Sequence, residues 1–388
     1  MTPGARVAAA IEILDDIQGG QAAEQALTRW ARRSRFAGSK DRAAIRDHVF
    51  DVLRCRSLAA HFGRGEAGRQ LMLGLLHLQE ADIAALFTGD GHAPEPATAA
   101  ELDFPAPPED RPTLWCLPEW LVTPFEASLG EDAARTAGAL QARAPIVLRV
   151  NLARIQRQAA ADMLREQGVE TAVNPLAEAA LTVTEGHRRI RNSSAFAEGL
   201  IELQDAASQA VVAALPAGGR VLDYCAGGGG KALALAMDPA RQVTAHDIAP
   251  ARMADLPARA ARAGVTVALA ETATLADAAP FDVVLCDAPC SGSGAWRRAA
   301  EGKWTLTPAR LAELTALQDE ILDRAAALVG PSGLLAYATC SVLRAENEDR
   351  LAAFLSRNPG WTCSFAHRFA VDAAGDGFYT AQLTRVSG

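Results

Sequence analysis

Apolar residues recur at intervals of three and four from residue 5 to about residue 87, where VAAAIEILDDI, AEQALTRWARR, KDRAAIRDHVFDVLRCRSLAAHF and RQLMLGLLHLQEADIAALF each read as amphipathic helix. From Thr88 to Pro118 the pattern is lost in turn-rich text, GDGHAPEP and FPAPPEDRP, which predicts an irregular connector. Two short helices near WLVTPFEASLG and EDAARTAGALQAR follow, then PIVLRVN, the amphipathic RQAAADMLREQG, LTVTEG and the basic RRIRNSSAF, an alternation that suggests a small α+β module. From about residue 201 short apolar strands (RVLDYCA, QVTAHDI, VTVALA, FDVVLCDAP, GLLAYATCS) alternate with amphipathic helices. Continuous apolar strands in βα repeats predict a mostly parallel sheet covered on both faces. A last pair, WTCSFAHRF and FYTAQLTRV, predicts an antiparallel edge hairpin. The expected organisation is a helical region at 1–87, a connector with short helices at 88–140, an α+β module at 141–200 and a doubly wound, Rossmann-like α/β domain at 201–388.

Composition narrows the setting. The chain has 388 residues, 49% hydrophobic and 22% charged, as expected of two or three ordinary globular domains. Seven cysteines, an odd number without CxxC spacing, suit a reducing compartment, so a cytoplasmic location is expected and a zinc site is not. No apolar run reaches the roughly 18 to 20 residues that cross a bilayer. The opening MTPGARVAAAIEILDD places acids where a signal peptide has its apolar core, so neither membrane nor export is expected. Net charge is −8, which does not advertise nucleic-acid binding by the whole molecule. Locally, residues 29–69 hold eleven Arg and Lys against four acids, and residues 70–150 hold four against twelve. A basic face on an acidic protein, or a solvated Arg-rich helix surface, would both produce this asymmetry.

Three stretches carry candidate chemistry. The first strand runs into Asp223-Tyr224-Cys225-Ala226-Gly227-Gly228-Gly229-Gly230-Lys231. Glycines at a strand-to-helix turn let backbone N–H groups approach a ligand closely. The next strand ends at Asp247, a carboxylate positioned for a ribose diol, so a nucleoside-containing cofactor is expected, NAD-like or S-adenosylmethionine. The fourth strand ends in Asp287-Ala288-Pro289-Cys290, and the fifth in Thr339-Cys340-Ser341, 50 residues after the first thiol. Open α/β sheets place ligands over the carboxyl ends of their strands, so both thiols are candidates for one crevice. Cys55, Cys116, Cys225, Cys286 and Cys363 read more simply as small hydrophobic residues.

DYCAGGGGK, DAPCSGSG with the following WRR and KW, LQDEIL and YATCSVLRAENED resemble the successive motifs of the Sun/Nop family of S-adenosylmethionine-dependent RNA cytosine-C5 methyltransferases. The resemblance covers roughly residues 145 to 388, and the N-terminal helices faintly resemble the NusB-like RNA-binding domain of the bacterial small-subunit rRNA enzymes. It implies a class I methyltransferase domain and a reaction in which a thiolate adds to cytosine C6 to make C5 nucleophilic. The nucleophile would be Cys340, Cys290 would assist release of the adduct, and Asp287 would hydrogen-bond the cytosine edge. Cys225, Ala226, Gly227, Gly228, Gly229, Gly230 and Lys231 would wrap the cofactor's amino-acid end, and Asp247 would hold its ribose, with Asp287 close by. Glu271 would meet the adenine, although the segment ETATLAD departs from the family's usual acid, and AGGGGK lacks the family's proline. Arg188, Arg189, Arg191, Arg297, Arg298 and Lys303 would grip RNA phosphates. Ribosomal RNA is the expected partner, transfer RNA the second, and a monomer the expected state. The competing expectation is a catalytically silent RNA-binding assembly factor that keeps the fold.

Overall fold

The computed structural model describes residues 1–386, which divide into two compact units. The first comprises residues 1–126, 130–143 and 296–306. Its centre is built from the helices Pro3–Gln18, Ala23–Arg33, Ser39–Arg54 and Gly68–Leu78, whose apolar stripes meet around Val7, Ile13, Leu14, Trp30, Val49 and Leu71. Much of the arginine excess is neutralised within the unit, for example by Arg46 on Glu24 and Arg56 on Glu66. The stretch expected as a connector belongs to this unit, held by Arg69 donating to Glu101 at 2.7 Å.

The segment 296–306, which the sequence placed with the α/β domain, packs in the helical unit instead. Trp296 is fully buried, Trp304 donates its indole N–H to the Leu53 carbonyl at 2.7 Å, and Lys303 donates to the Arg54 carbonyl at 2.6 Å. Both carbonyls lie in the last turn of Ser39–Arg54, where a helix leaves acceptors without partners, and this segment supplies the donors.

Among the described residues, the second unit comprises 127–129, 144–295 and 307–386. It opens with a four-stranded antiparallel sheet of β1 (Ile146–Val150), β2 (Glu170–Val173), β3 (Ala180–Glu185) and β4 (Ile201–Leu203), in the order β2-β3-β1-β4. The larger sheet contains β5 (Gly219–Asp223), β6 (Arg241–Ala245), β7 (Ala268–Leu269), β8 (Phe281–Asp287), β9 (Val329–Thr339), β10 (Trp361–Phe369) and β11 (Phe378–Arg385), in the order β10-β11-β9-β8-β5-β6-β7. β5 to β9 are parallel, whereas β11 pairs antiparallel with both β9 and β10. The doubly wound sheet with its terminal hairpin is therefore present. The third strand is shorter than VTVALA suggested: only Ala268 and Leu269 pair with β6, and both are exposed. Chain order reverses between β5 and β8, which marks their carboxyl ends as the place for a ligand. Among the described residues, no helix is long and apolar enough to cross a membrane.

The small sheet is tied to the larger one through Arg149 on β1. Its buried guanidinium donates to the Gly230 carbonyl at 2.8 Å and to Gln204. Burial holds its pKa down to about 10, so the contact is paid for by desolvation and recovered through hydrogen bonds to a loop that must stay in place.

Candidate active site

β5 delivers Asp223 to the switch point, and the chain then turns through the glycines into the helix Gly230–Leu235. Gly229 sits at φ +79°, and a Cβ there would lie 2.4 Å from a Leu256 methyl. Glycine is thus required for both conformation and space. The Gly227 N–H donates to Asp247 at 2.9 Å, and the Ala249 N–H and Arg252 guanidinium, each at 2.9 Å, complete that carboxylate's shell. Asp247 is buried, which fixes it at the loop. The neighbouring His246 donates from Nδ1 to the Tyr224 carbonyl at 2.7 Å and receives the Thr272 hydroxyl at Nε2, clamping β6 to the segment after β7.

Asp223 is 1% exposed, and neither carboxylate oxygen has a hydrogen-bond partner. Burial, reinforced by the Asp287 charge and only partly offset by the Lys231 charge, pushes its pKa up to about 7. An orphaned buried acid of this kind fits a cationic group, such as the ammonium of an amino-acid ligand. With the glycine turn and Asp247, it makes the residues present compatible with S-adenosylmethionine.

β8 and β9 pair so that Asp287 lies opposite Ala338, which brings the two thiols after them to the same height. The Gly294 N–H donates to the Cys340 carbonyl at 2.9 Å, folding one thiol loop over the other. Cys290 Sγ and Cys340 Sγ stand 3.4 Å apart, within hydrogen-bonding distance. The bond to Cys340, then burial, raises the Cys290 thiol well above its ordinary pKa, so it is held as S–H. Lys231 Nζ donates to Asp287 at 2.7 Å. Burial disfavours the ammonium, but Asp287 and then Asp223 outweigh it and hold Lys231 above its usual range. The glycine loop, Lys231, Asp287 and both thiols line one cavity of about 540 Å³, of the size that takes a small organic molecule.

The structure thus brings together Cys340, Cys290, Asp287, Lys231, Cys225, Ala226, Gly227, Gly228 and Gly230, with Gly229 and Asp247 packed directly behind. Lys231 meets Asp287. Glu271 is exposed at the start of a short turn after β7 and does not line this cavity. Arg188, Arg189 and Arg191 are exposed on the turn His187–Asn192, and Arg298 is exposed in the first unit. Lys303 and Arg297 correct the expectation of phosphate contacts: they are 1% and 3% exposed, and Lys303 is committed to the Arg54 carbonyl. The sequence reading missed Asp223, Arg149 and Glu346 as site residues. The signal for Asp223 was available in its place at a strand end before the glycines.

The chain was compared with known proteins. A family model described as 16S rRNA methyltransferase RsmB/F matches residues 210–384, and a second, described as the ferredoxin-like domain of RsmF/B-like methyltransferases, matches residues 117–188. The Ribosomal RNA small subunit methyltransferase B of Salmonella agona (strain SL483) is 33% identical over 284 residues, 69% of this chain and 66% of that protein. The protein of the same name from Pseudomonas syringae pv. tomato is 34% identical over 252 residues, 63% of this chain and 56% of that one. The matches therefore span less than two thirds of these relatives' length, 66% of the first and 56% of the second. Among solved structures, PH0851 shares the fold with a TM-score of 0.77 at 22% identity, covering 99% of each chain. NSun6 from Pyrococcus horikoshii with SFG shares it with a TM-score of 0.62 at 17% identity, covering 71% of this chain and 100% of that one.

Proposed function

Because the chain belongs to the RsmB/F family of 16S rRNA methyltransferases, we propose that it methylates C5 of a cytosine in small-subunit ribosomal RNA through a covalent adduct on Cys340. The observation that carries this reading is the pair of thiols 3.4 Å apart beside the Lys231–Asp287 pair in one cavity. S-adenosylmethionine, when bound, supplies the electrophilic methyl group that C5 accepts.

The chain's own residues perform the remaining steps. Cys340 Sγ, as the thiolate, forms a bond to cytosine C6, and the electrons of the C5–C6 double bond move to C5. Lys231 and Asp287 meet the cytosine edge and hold a proton at N3 while the ring carries the extra electron density. After methylation solvent water accepts the C5 proton, the electrons of that C–H bond re-form the C5–C6 double bond, and the Sγ–C6 bond breaks with its electron pair returning to Cys340. Cys290 assists that release as a neighbouring acid. The target base must be unstacked, since the thiol cannot approach C6 within a duplex. Arg188, Arg189 and Arg191 offer phosphate contacts in the same unit.

The test incubates the purified protein with labelled S-adenosylmethionine and total RNA, alongside Cys340→Ala and Cys290→Ala. The expected result is 5-methylcytosine in small-subunit rRNA, no product with Cys340→Ala, and an accumulating protein–RNA adduct with Cys290→Ala. Wild-type protein that binds the cofactor yet labels no RNA would overturn the reading in favour of a silent RNA-binding factor.

A further inference from the structure

Each thiol is followed directly by a serine, Ser291 after Cys290 and Ser341 after Cys340. The two hydroxyls converge on one side chain. Glu346 Oε2 accepts from Ser291 Oγ and from Ser341 Oγ, both at 2.5 Å, while Oε1 accepts from the Ser291 backbone N–H at 2.8 Å and from Gln318 Nε2 at 3.2 Å. Glu346 is 0% exposed, and none of these four donors is a cation. A buried carboxylate satisfied by neutral donors alone is expensive, and its geometry is strict, since any lost donor leaves the charge exposed to a low dielectric.

The backbone around Glu346 is held as tightly. Tyr337 donates its hydroxyl to the Glu346 carbonyl at 2.6 Å. The next residue, Asn347, accepts from the Thr339 hydroxyl at 2.5 Å and donates to the Ser341 carbonyl at 2.9 Å. Gln318 also donates to the Pro289 carbonyl at 2.8 Å, on the other side of Cys290. Cys290 is therefore flanked by Pro289 and Ser291, and Cys340 by Thr339 and Ser341, all four bound into one network with Glu346 at its centre.

We propose that Glu346 is the positioning residue of the thiol pair: one carboxylate, acting through Ser291 and Ser341, sets the separation of Cys290 and Cys340. The assignment rests on the methyl-transfer reading for its consequence in turnover, but not for its geometry. Its charge has a second effect in the same direction, since it adds to the Cys340 bond and burial in keeping Cys290 protonated.

The test compares the wild type with Glu346→Gln, which keeps the shape but places an amide donor against two hydroxyls. A milder variant, Ser291→Ala with Ser341→Ala, guards against misfolding. The spacing is read by cross-linking with dibromobimane, which bridges neighbouring thiols, and by mass-spectrometric mapping of the Cys290–Cys340 product. Wild type should give that product, and both variants should lose most of it while the melting temperature is unchanged and cofactor affinity stays within twofold. In steady-state methylation, a displacement on the order of 1 Å predicts a fall in kcat of roughly ten- to a hundredfold with KM for RNA little changed. Adding Glu346→Gln to the double serine variant should reduce kcat less than about twofold further, since the carboxylate acts through those hydroxyls. Cross-linking and kcat at wild-type levels in Glu346→Gln would overturn the assignment. So would losses that track melting temperature and cofactor affinity together. If wild type methylates no RNA, the methyl-transfer reading falls, and the cross-linking result still decides whether Glu346 sets the spacing.

Discussion

Asp223→Asn tests the most heavily burdened group in the site. The carboxylate is 1% exposed without a hydrogen-bond partner, and its pKa is pushed up to about 7 from an ordinary 3.8. At 1.36 kcal/mol per pH unit, the folded protein without ligand favours the neutral acid by about 4 kcal/mol relative to the unfolded chain. The folded state binds this proton more tightly than the unfolded state. Its contribution to stability is therefore complete below about pH 4 and is lost as the pH rises through about 7. Asparagine carries no such dependence. Between pH 5 and pH 7 the wild type should lose about 2 kcal/mol relative to Asp223→Asn. The opening free energy of the β5 amides, measured by hydrogen exchange, reports this unit without averaging over the helical one. A cationic ligand group should reverse the balance: wild type should release protons on binding S-adenosylmethionine at pH 6 to 7, and Asp223→Asn should bind it weakly with less release. A stability difference flat to within about 0.5 kcal/mol over pH 5 to 7 would refute the reasoning, because a buried unpaired acid must titrate in that window.

Two further substitutions probe the sites the fold maintains. Lys303 is pressed down to about 8 by burial. Its neutral form is therefore favoured on folding, and its stability contribution is present above about pH 10.5 and lost as pH falls through about 8. Lys303→Met should stabilise the helical unit by about 1–2 kcal/mol at pH 7, after allowing about 1 kcal/mol for the lost bond to the Arg54 carbonyl; urea denaturation showing destabilisation would contradict this. Gly229→Ala should destabilise the second unit by about 1–3 kcal/mol and weaken cofactor binding, as calorimetry and thermal melts would show, because φ +79° and the Leu256 methyl both oppose a Cβ.

The α/β alternation, the strand ends and the two thiols were legible because strand period, glycine and the Asp-Ala-Pro-Cys and Thr-Cys-Ser runs are local signals. The two corrections of placement are both non-local. Lys303 and Arg297 looked like phosphate ligands because a basic residue in a loop is normally solvated. Only the fold shows that this loop belongs to the helical unit and supplies donors to the open end of one of its helices. Glu271 was chosen as the nearest acid in sequence, and it follows a strand that contributes only two residues to the sheet edge.

Glu346 shows the same limit from the opposite side. Nothing in its sequence position distinguishes it from the adjoining Glu348 and Asp349, which are surface partners of Arg368 and Arg344. What separates it is that Tyr337, Gln318 and the two serines come from four places in the chain and leave it no access to water. A buried carboxylate that meets only neutral donors persists where the arrangement it enforces matters, and here that arrangement is the 3.4 Å between two sulfurs. On the proposed reaction, the thiol that attacks and the thiol that assists release have to meet the same base atoms in succession. Holding both loops by one anchor makes any displacement common to the two, so that their separation survives fluctuations that would move either loop alone.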